Sequence, residues 1–403
     1  MSYVFVADDF TGASDTLATL ARGGLRTRLF LDVPPPDAVR DLDAWGVATD
    51  ARSLDQDGMK ALARRIGTAL LPHRPEFLHV KICSTFDSSE TIGNVALLVR
   101  GLSDATGVPD IAVVAGQPSL GRYAIFGTLF AKASDGRIHR IDRHPVMSSH
   151  PVTPMAEADI RLHLAQLGLP DLEQVSRCGK GHAFPRLYDL LDQADVTAVG
   201  RDLDASGRRL VIMGSSSVAE AWLAVQAGRR PCPPIPPTAD GPVLALAGSR
   251  SSLTNSQIAA ASALPSLPLD PARLLSDEAA FERAIGWSAE RLRRGEDCLL
   301  YLTEEGSINA APAELARRSA ELIEEIAKRG VGIGGLIVAG GDTSSAILRQ
   351  LAPQWLDYAG DVCAGVPILH ARLEAGNLPV IMKGGQMGPD HFFQIAIAML
   401  HGN

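Results

Sequence analysis

Cysteine is scarce and scattered: five residues, Cys83, Cys178, Cys232, Cys298 and Cys363, with no C-x-x-C pair. That excludes a disulfide framework and a zinc site of familiar spacing, and fits reduced thiols in a cytoplasmic protein. No uninterrupted apolar run approaches ~18 residues, so a membrane span is not expected. The apolar run at the N-terminus meets Asp8 and Asp9 too soon to form the core of a signal peptide. Lys and Arg form no cluster and the formal net charge is −8, which argues against nucleic acid as a partner. G-x-x-x-x-G-K-[ST] does not occur, so any nucleotide affinity must come from something other than a P-loop.

What remains is a composition of 46% hydrophobic and 21% charged residues, ordinary for a globular protein, and one recurring local pattern. Leu336-Ile-Val-Ala-Gly-Gly-Asp-Thr-Ser-Ser-Ala-Ile347 reads as a buried strand, a double-glycine corner and a helix start. Glycines there let backbone approach a ligand, and the first N–H groups of the helix favour an anion. Val243-Leu-Ala-Leu-Ala-Gly-Ser-Arg-Ser-Ser252 and Leu210-Val-Ile-Met-Gly-Ser-Ser-Ser217 repeat the pattern. Tyr3-Val-Phe-Val-Ala-Asp-Asp-Phe-Thr-Gly12 repeats it with two carboxylates in place of glycines. Open α/β sheets have this signature and bind ligands at the carboxyl ends of their strands.

The 403 residues suit two domains. Residues 229–242 carry six prolines and cannot form a helix or central strand. We therefore expect an N-terminal domain over 1–230, a proline-rich linker over 231–241 and a C-terminal domain over 242–403. The first should hold strands near 3–7, 27–31, 45–49, 77–82, 110–115, 195–199 and 209–213, with helices near 12–22, 56–71, 88–102, 156–167 and 218–228. The second should hold strands near 242–247, 297–302, 335–339, 363–369 and 378–382, with helices near 254–264, 276–294, 312–329, 343–351 and 389–400. Alternation of strand and helix in both predicts two three-layer α/β domains with mostly parallel sheets.

Several residues could carry chemistry. One of the adjacent carboxylates Asp8 and Asp9 can face a pocket at the strand end and orient or deprotonate a hydroxyl; the plain alternative is that Asp9 or Thr11 caps a helix. A haloacid-dehalogenase-type phosphatase would need its second carboxylate two residues after the first, where Phe10 or Thr11 stands. Lys81, Ser84 and Thr85 follow another apolar strand and could bind a carboxylate, unless the lysine stem merely packs on the sheet edge. Arg52 and Arg122 are further candidate anion ligands, and Thr153 sits in a rigid turn beside His150. His139, His144 and His150 lack a metal-ligand pattern. Gly340, Gly341, Asp342, Thr343 and Ser344 form the strongest signal; Ser249 with Arg250, and Lys383 with Gly384, Gly385 and Gly388, add two more strand-end turns. Gly330-Val-Gly332-Ile-Gly334 precedes its strand, so a Rossmann dinucleotide site fails on order, and a dehydrogenase with it.

Together these pieces resemble the four-carbon acid sugar kinase family. The resemblance rests on Ala7-Asp-Asp-Phe-Thr-Gly-Ala-Ser-Asp15, Lys81 with Ser84-Thr85, Pro151-Val-Thr-Pro154, Gly248-Ser249, Gly340-Gly-Asp-Thr-Ser344 and Lys383 to Gly388, in family order over nearly the whole chain. Two segments depart from the family's common form: Ala115-Gly-Gln-Pro-Ser-Leu-Gly-Arg122 and Gly384-Gly-Gln-Met-Gly388. The resemblance implies transfer of a phosphoryl group from ATP to the terminal hydroxyl of a four-carbon sugar acid, in a cleft between two domains. It implies nucleotide contacts at Ser249, Gly340, Gly341, Asp342, Thr343, Gly384 and Gly385, and sugar-acid contacts among Asp8, Asp9, Arg52, Lys81, Ser84, Thr85 and Thr153. Mg2+ should arrive with the nucleotide. Cys83-Ser-Thr-Phe-Asp-Ser88 resembles the 3-oxo-tetronate kinase branch. A non-catalytic sugar-acid sensor stays open as an alternative, and a homodimer is compatible with the sequence.

Overall fold

The computed structural model describes residues 3–133, 135–150, 152–175, 177, 179, 181–226, 238–303 and 312–402. The chain divides into two compact units, Met1–Cys232 and Pro233–Asn403. Residues 231–237 of the expected linker, Pro151, Cys178 and Cys232 lie outside the described residues. Among the described residues no helix is long and apolar enough to cross a membrane.

The first unit contains strands β1 (Tyr3–Ala7), β2 (Thr27–Phe30), β3 (Ala44–Ala48), β4 (Phe77–Lys81), β5 (Ile111–Ala115), β6 (Arg122–Ile125), β7 (Thr128–Lys132), β8 (Ile138–Arg140), β9 (Glu173–Val175), β10 (Arg186–Asp189) and β11 (Leu210–Gly214). Its helices are α1 (Phe10–Arg22), α2 (Gln56–Leu70), α3 (Val95–Thr106), α4 (Ile160–Gln166), α5 (Gln193–Ala205) and α6 (Ser217–Leu223). The main sheet runs β2-β3-β1-β4-β11-β5-β10-β9, every pair parallel. Strands β1, β3, β5 and β11 are buried along their whole length, as a sheet covered on both faces requires. Inside it His79 accepts from the Tyr3 hydroxyl at Nδ1 and donates from Nε2 to the Gly214 carbonyl, and burial pushes its pKa down to about 3. It is a neutral cross-strand tie.

Two expectations fail in this unit. The strand expected near 195–199 lies inside α5. Asp192 accepts from the Ala194 and Asp195 N–H groups, and Asp195 returns a bond to the Asp192 N–H, a complete capping box. Val196, Val199 and Leu203 then share the buried face at helical spacing. The helix expected over 88–102 starts only at Val95, where Asn94 caps it through the Leu97 N–H. Ser88 instead closes a loop, donating to the Gly93 carbonyl and accepting from the Val95 N–H. The separate antiparallel sheet β6-β7-β8 and the strands β9 and β10 had no counterpart in the sequence reading.

The second unit contains β12 (Val243–Ala247), β13 (Ser266–Leu269), β14 (Cys298–Leu302), β15 (Gly335–Ala339), β16 (Trp355–Cys363), β17 (Val366–Leu373) and β18 (Gly376–Lys383). Helices α7 (Ser252–Ala260), α8 (Pro271–Ser276), α9 (Glu278–Arg293), α10 (Pro312–Lys328), α11 (Gly341–Leu351) and α12 (Phe392–Leu400) complete it. The order is β13-β14-β12-β15-β18-β17-β16, parallel from β13 to β18 and antiparallel from β18 to β16. The antiparallel meander, with the two-residue links Ala364-Gly365 and Glu374-Ala375, was not anticipated; β16 has an irregular register and no clean alternation. Val243, Ala245, Ile337, Ile381, Phe392 and Phe393 centre a core that brings the carboxyl ends of β12, β15 and β18 side by side.

Candidate active site

In the first unit β1 lies between β3 and β4 with Ala7 level with Ala48 and Lys81, so the residues that follow each strand emerge together. Asp8 continues the ladder, its N–H donating to the Lys81 carbonyl, and Arg52 donates its N–H to the Asp8 carbonyl. The Arg52 guanidinium spans both carboxylates. Nε and Nη2 meet Asp8 at 3.2 and 3.0 Å, and Nη1 meets Asp9 Oδ2 at 3.0 Å. Asp9 is also the cap of α1, accepting from the Gly12 N–H at 2.8 Å. The helix-cap reading and the functional reading of Asp9 are therefore compatible, one oxygen serving each.

Burial pushes the Asp8 carboxyl up to about 6, against the pull of Arg52 and helped by the neighbouring Asp9 charge. Burial works to lower the Arg52 pKa as well, but Asp8 and Asp9 outweigh it and hold the guanidinium proton well above its usual range. The Lys81 side chain is buried and donates to the Ile82 carbonyl at 2.9 Å. Its Nζ lies 2.3 Å from where a Cβ on residue 12 would stand, so Gly12 is what admits the ammonium to the start of α1.

The turn after β4 lies within electrostatic reach of Arg52 through Cys83 and Asp87. Thr85 is buried and committed locally: it donates to Asp87 Oδ1 at 2.5 Å and lies 2.9 Å from Cys83 Sγ. Burial, then Asp87, pushes the Cys83 thiol up to about 11, which keeps it protonated. Ser84 is half-buried at the same turn. Arg122 and Thr153 make their contacts elsewhere: Arg122 donates to the Leu120 carbonyl, and the Thr153 N–H and hydroxyl share His150 Nδ1. The structure thus gathers Asp8, Asp9, Arg52, Lys81 and the Ser84–Thr85 turn. The Gly214-Ser-Ser-Ser217 turn is a brace: Ser215 and Ser217 hold the Gly116 carbonyl, and Ser216 holds Asp15 and Thr16 of α1.

In the second unit three strand-end turns converge. The Gly248 and Ser249 N–H groups both donate to the Ala339 carbonyl, and the Gly340 N–H donates to Lys383. Gly340 has φ of 128°, a left-handed-side backbone that favours glycine, and caps α11 with no side chain. Close approach requires glycine at two more positions. A Cβ on residue 248 would stand 2.1 Å from Thr343 Oγ1, and one on residue 385 would stand 2.2 Å from Ser249 Oγ. Ser249, Gly340, Gly341, Thr343 and Gly385 are accordingly neighbours, with Gly384 one residue away and Asp342 exposed on the first turn of α11. The uncapped N–H groups of α11 and the main chain of two adjoining turns make a surface suited to phosphate oxygens.

Sequence reasoning gave no role to the supports beneath this surface. Ser251, the cap of α7, and Thr254 within it both donate to the Gly385 carbonyl, at 2.6 and 3.0 Å. Gln257, one turn on, donates to the Met387 and Pro389 carbonyls at 3.1 and 2.9 Å. The i, i+3, i+6 spacing of Ser251, Thr254 and Gln257 along α7 was the available signal.

Residues 3–222 match the model of a sugar-binding N-terminal domain, and residues 244–393 that of a nucleotide-binding C-terminal domain. The chain is 30% identical to a 3-oxo-isoapionate kinase of Paraburkholderia graminis, over 96% of this chain and 92% of that one. It is 30% identical to a 3-oxo-tetronate kinase of Methylobacterium radiotolerans over 98% of each, and to one of Cupriavidus necator over 99% and 97%. Its fold is that of a Salmonella typhimurium LT2 protein, with a TM-score of 0.79 at 23% identity over 98% of both chains. A Haemophilus influenzae protein shares it with a TM-score of 0.73 at 21% identity, over 98% of this chain and 100% of that one. With both domain models matched and relatives of this similarity along nearly its full length, the chain belongs to the four-carbon acid sugar kinase family.

Proposed function

We infer that the protein transfers the γ-phosphoryl group of ATP to the terminal hydroxyl of a four-carbon sugar acid, with a 3-oxo-tetronate as the first candidate. The observation that carries this is the meeting of Ser249, Gly340 and Gly385, three strand ends with bare main chain and no room for side chains between them. The names of the relatives, and the segment Cys83-Ser-Thr-Phe-Asp-Ser88, favour a 3-oxo acid over threonate or erythronate.

Phosphoryl transfer asks the protein mainly for positioning and charge. In this reading the main chain at Gly340–Thr343, with Ser249, Gly384 and Gly385, holds the polyphosphate. Among the described residues no three carboxylate, imidazole or thiol groups converge on a metal site; Mg2+ would enter on the nucleotide's own oxygens, where it offsets phosphate charge. Lys81 and Ser84 bind the substrate carboxylate. Asp9, with 18% of its side chain exposed against 3% for Asp8, is the carboxylate a hydroxyl can reach, and it accepts the proton as the phosphoryl group departs. Buried Asp8 holds Arg52, and Arg52 fixes the orientation of Asp9. The residues at the end of β1 thus supply the base and those at the end of β15 the phosphate grip.

The deciding experiment is a coupled ADP-release screen over D- and L-threonate, D- and L-erythronate and the 3-oxo-tetronates. ATP binding with no turnover on any of them would leave a sugar-acid sensor as the better reading.

A further inference from the structure

We propose that Lys383 is the buried cation of the nucleotide site, a positioning residue that turns the Gly384–Gly388 backbone toward the phosphates and offsets their charge from beneath it. This rests on the reading of the second unit as the nucleotide site and adds a residue that the reading does not use.

Lys383 ends β18 and is 0% exposed. Its Nζ donates to Thr254 Oγ1 at 3.2 Å and to the Gly384 carbonyl at 3.3 Å, and stands 5.3 Å over the Phe392 ring. The elements around it offer little to neutralise a charge. Helix α7 presents the hydroxyl of Thr254, α12 presents Phe392, and β16 presents the Cys363 thiol, the one titratable neighbour that acts on the lysine among the described residues. An ammonium group buried without a carboxylate is costly, and a protein that keeps one there has a use for it.

The hydrogen bonds indicate that use. The Gly384 carbonyl is drawn inward by Lys383, and the Gly385 carbonyl is drawn inward by Ser251 and Thr254. These peptides are trans, and a trans peptide points its N–H opposite to its C=O. The N–H groups of Gly385 and Gln386 therefore point out of the turn, and among the described residues neither donates to main chain. Two successive outward N–H groups form an anion-binding concavity. It adjoins Ser249, and through Ser249 the start of α11. The ammonium below and the two N–H groups above lie on opposite sides of one layer of backbone, so a polyphosphate in the concavity and the buried charge stabilise one another.

Burial pushes the Lys383 pKa down to about 8, with the Cys363 thiol opposing that weakly. A polyanion over the turn raises it again. The sign follows: ATP binds most tightly below about pH 8, weakens as pH climbs through the free and then the bound value of the lysine, and takes up protons near pH 8.5. The γ-phosphate, with its last ionisation near pH ~6, has finished titrating there.

The test is calorimetric titration of the full-length protein with MgATP at pH 8.5, in two buffers of different ionisation heat. Wild type should take up a fraction of a proton per ATP. Lys383→Met should take up none and bind ATP about threefold more weakly at pH 8.5, rising to about tenfold at pH 7, where the wild-type lysine is charged with and without ATP. Thr254→Val should weaken ATP binding while keeping the proton uptake, and it decides the matter together with wild type should Lys383→Met not fold. Uptake that persists in Lys383→Met, an unchanged ATP Kd in that variant, or ATP binding by wild type with no uptake would each overturn the proposal alone. A wild-type protein that binds no ATP, or ATP affinity indifferent to Gly385→Ala, would sink the nucleotide reading beneath it.

Discussion

Strands β1 and β15 each run straight into a helix, yet β1 ends on two carboxylates and β15 on two glycines. At β1 a side chain caps the helix and Arg52 spans the carboxylates, so what this end presents is fixed side-chain charge. At β15 no side chain caps the helix, so the main chain itself is presented. In the proposed function one fold element, the strand-to-helix turn, thus serves two chemistries. Side-chain charges suit a ligand whose proton must be moved. Bare N–H groups suit a ligand of high charge that must be held without reacting.

The sharpest way to break the contrast is Asp9→Asn, which should cut kcat by about 10²-fold or more while leaving the Kd for ATP within about twofold. Equal turnover in that variant would remove Asp9 as base. The mirror experiment is Gly385→Ala, whose new methyl must displace Ser249. It should raise the KM for ATP about tenfold and leave that for the sugar acid alone, the loss expected when a positioned phosphate contact is spoiled. Gly12→Ala does the converse, pushing on Lys81 Nζ; the KM for the sugar acid should rise several-fold, with ATP binding intact. A rise in both constants would mean the two sites are not separable.

Acid should act on the β1 end alone. As pH falls through about 6, Asp8 takes up a proton, its hold on Arg52 weakens and kcat falls, while ATP affinity measured by titration keeps the trend set by the nucleotide's own ionisation. A kcat flat from pH 7 to pH 5 would contradict the assignment. The smallest effect concerns Thr85→Val, which removes the buried hydroxyl from Asp87 and should cost about 1–3 kcal/mol of stability in denaturant unfolding, with little change in KM.

Much of this was legible in the chain. Apolar strands ending in Gly, Ser or Asp just before a helix located Asp8, Asp9, Lys81, Ser249 and the turn at Gly340, because a parallel strand buried on both faces is a short continuous apolar run. Where that signal failed, a competing local rule had won. The strand expected near 195–199 gave way to the Asp192–Asp195 capping box, which commits that stretch to α5. The meander from β16 to β18 escaped because antiparallel strands with an irregular register lose clean alternation. Lys383 was visible as a lysine at a strand end, and nothing in its neighbours along the chain said that it would be sealed from water.

Sequence by itself determined the alternation of strand and helix, the glycine and carboxylate corners, and the family to which they belong, since these depend on residues adjacent along the chain. Only the tertiary structure decided that Arg52 would bridge Asp8 and Asp9, that Gly12 would make room for Lys81, and that α7 would pull the Gly385 carbonyl inward. Those contacts join residues far apart in sequence, and they exist because parallel strands in register bring their ends to one edge, where burial and hydrogen bonding select the partners.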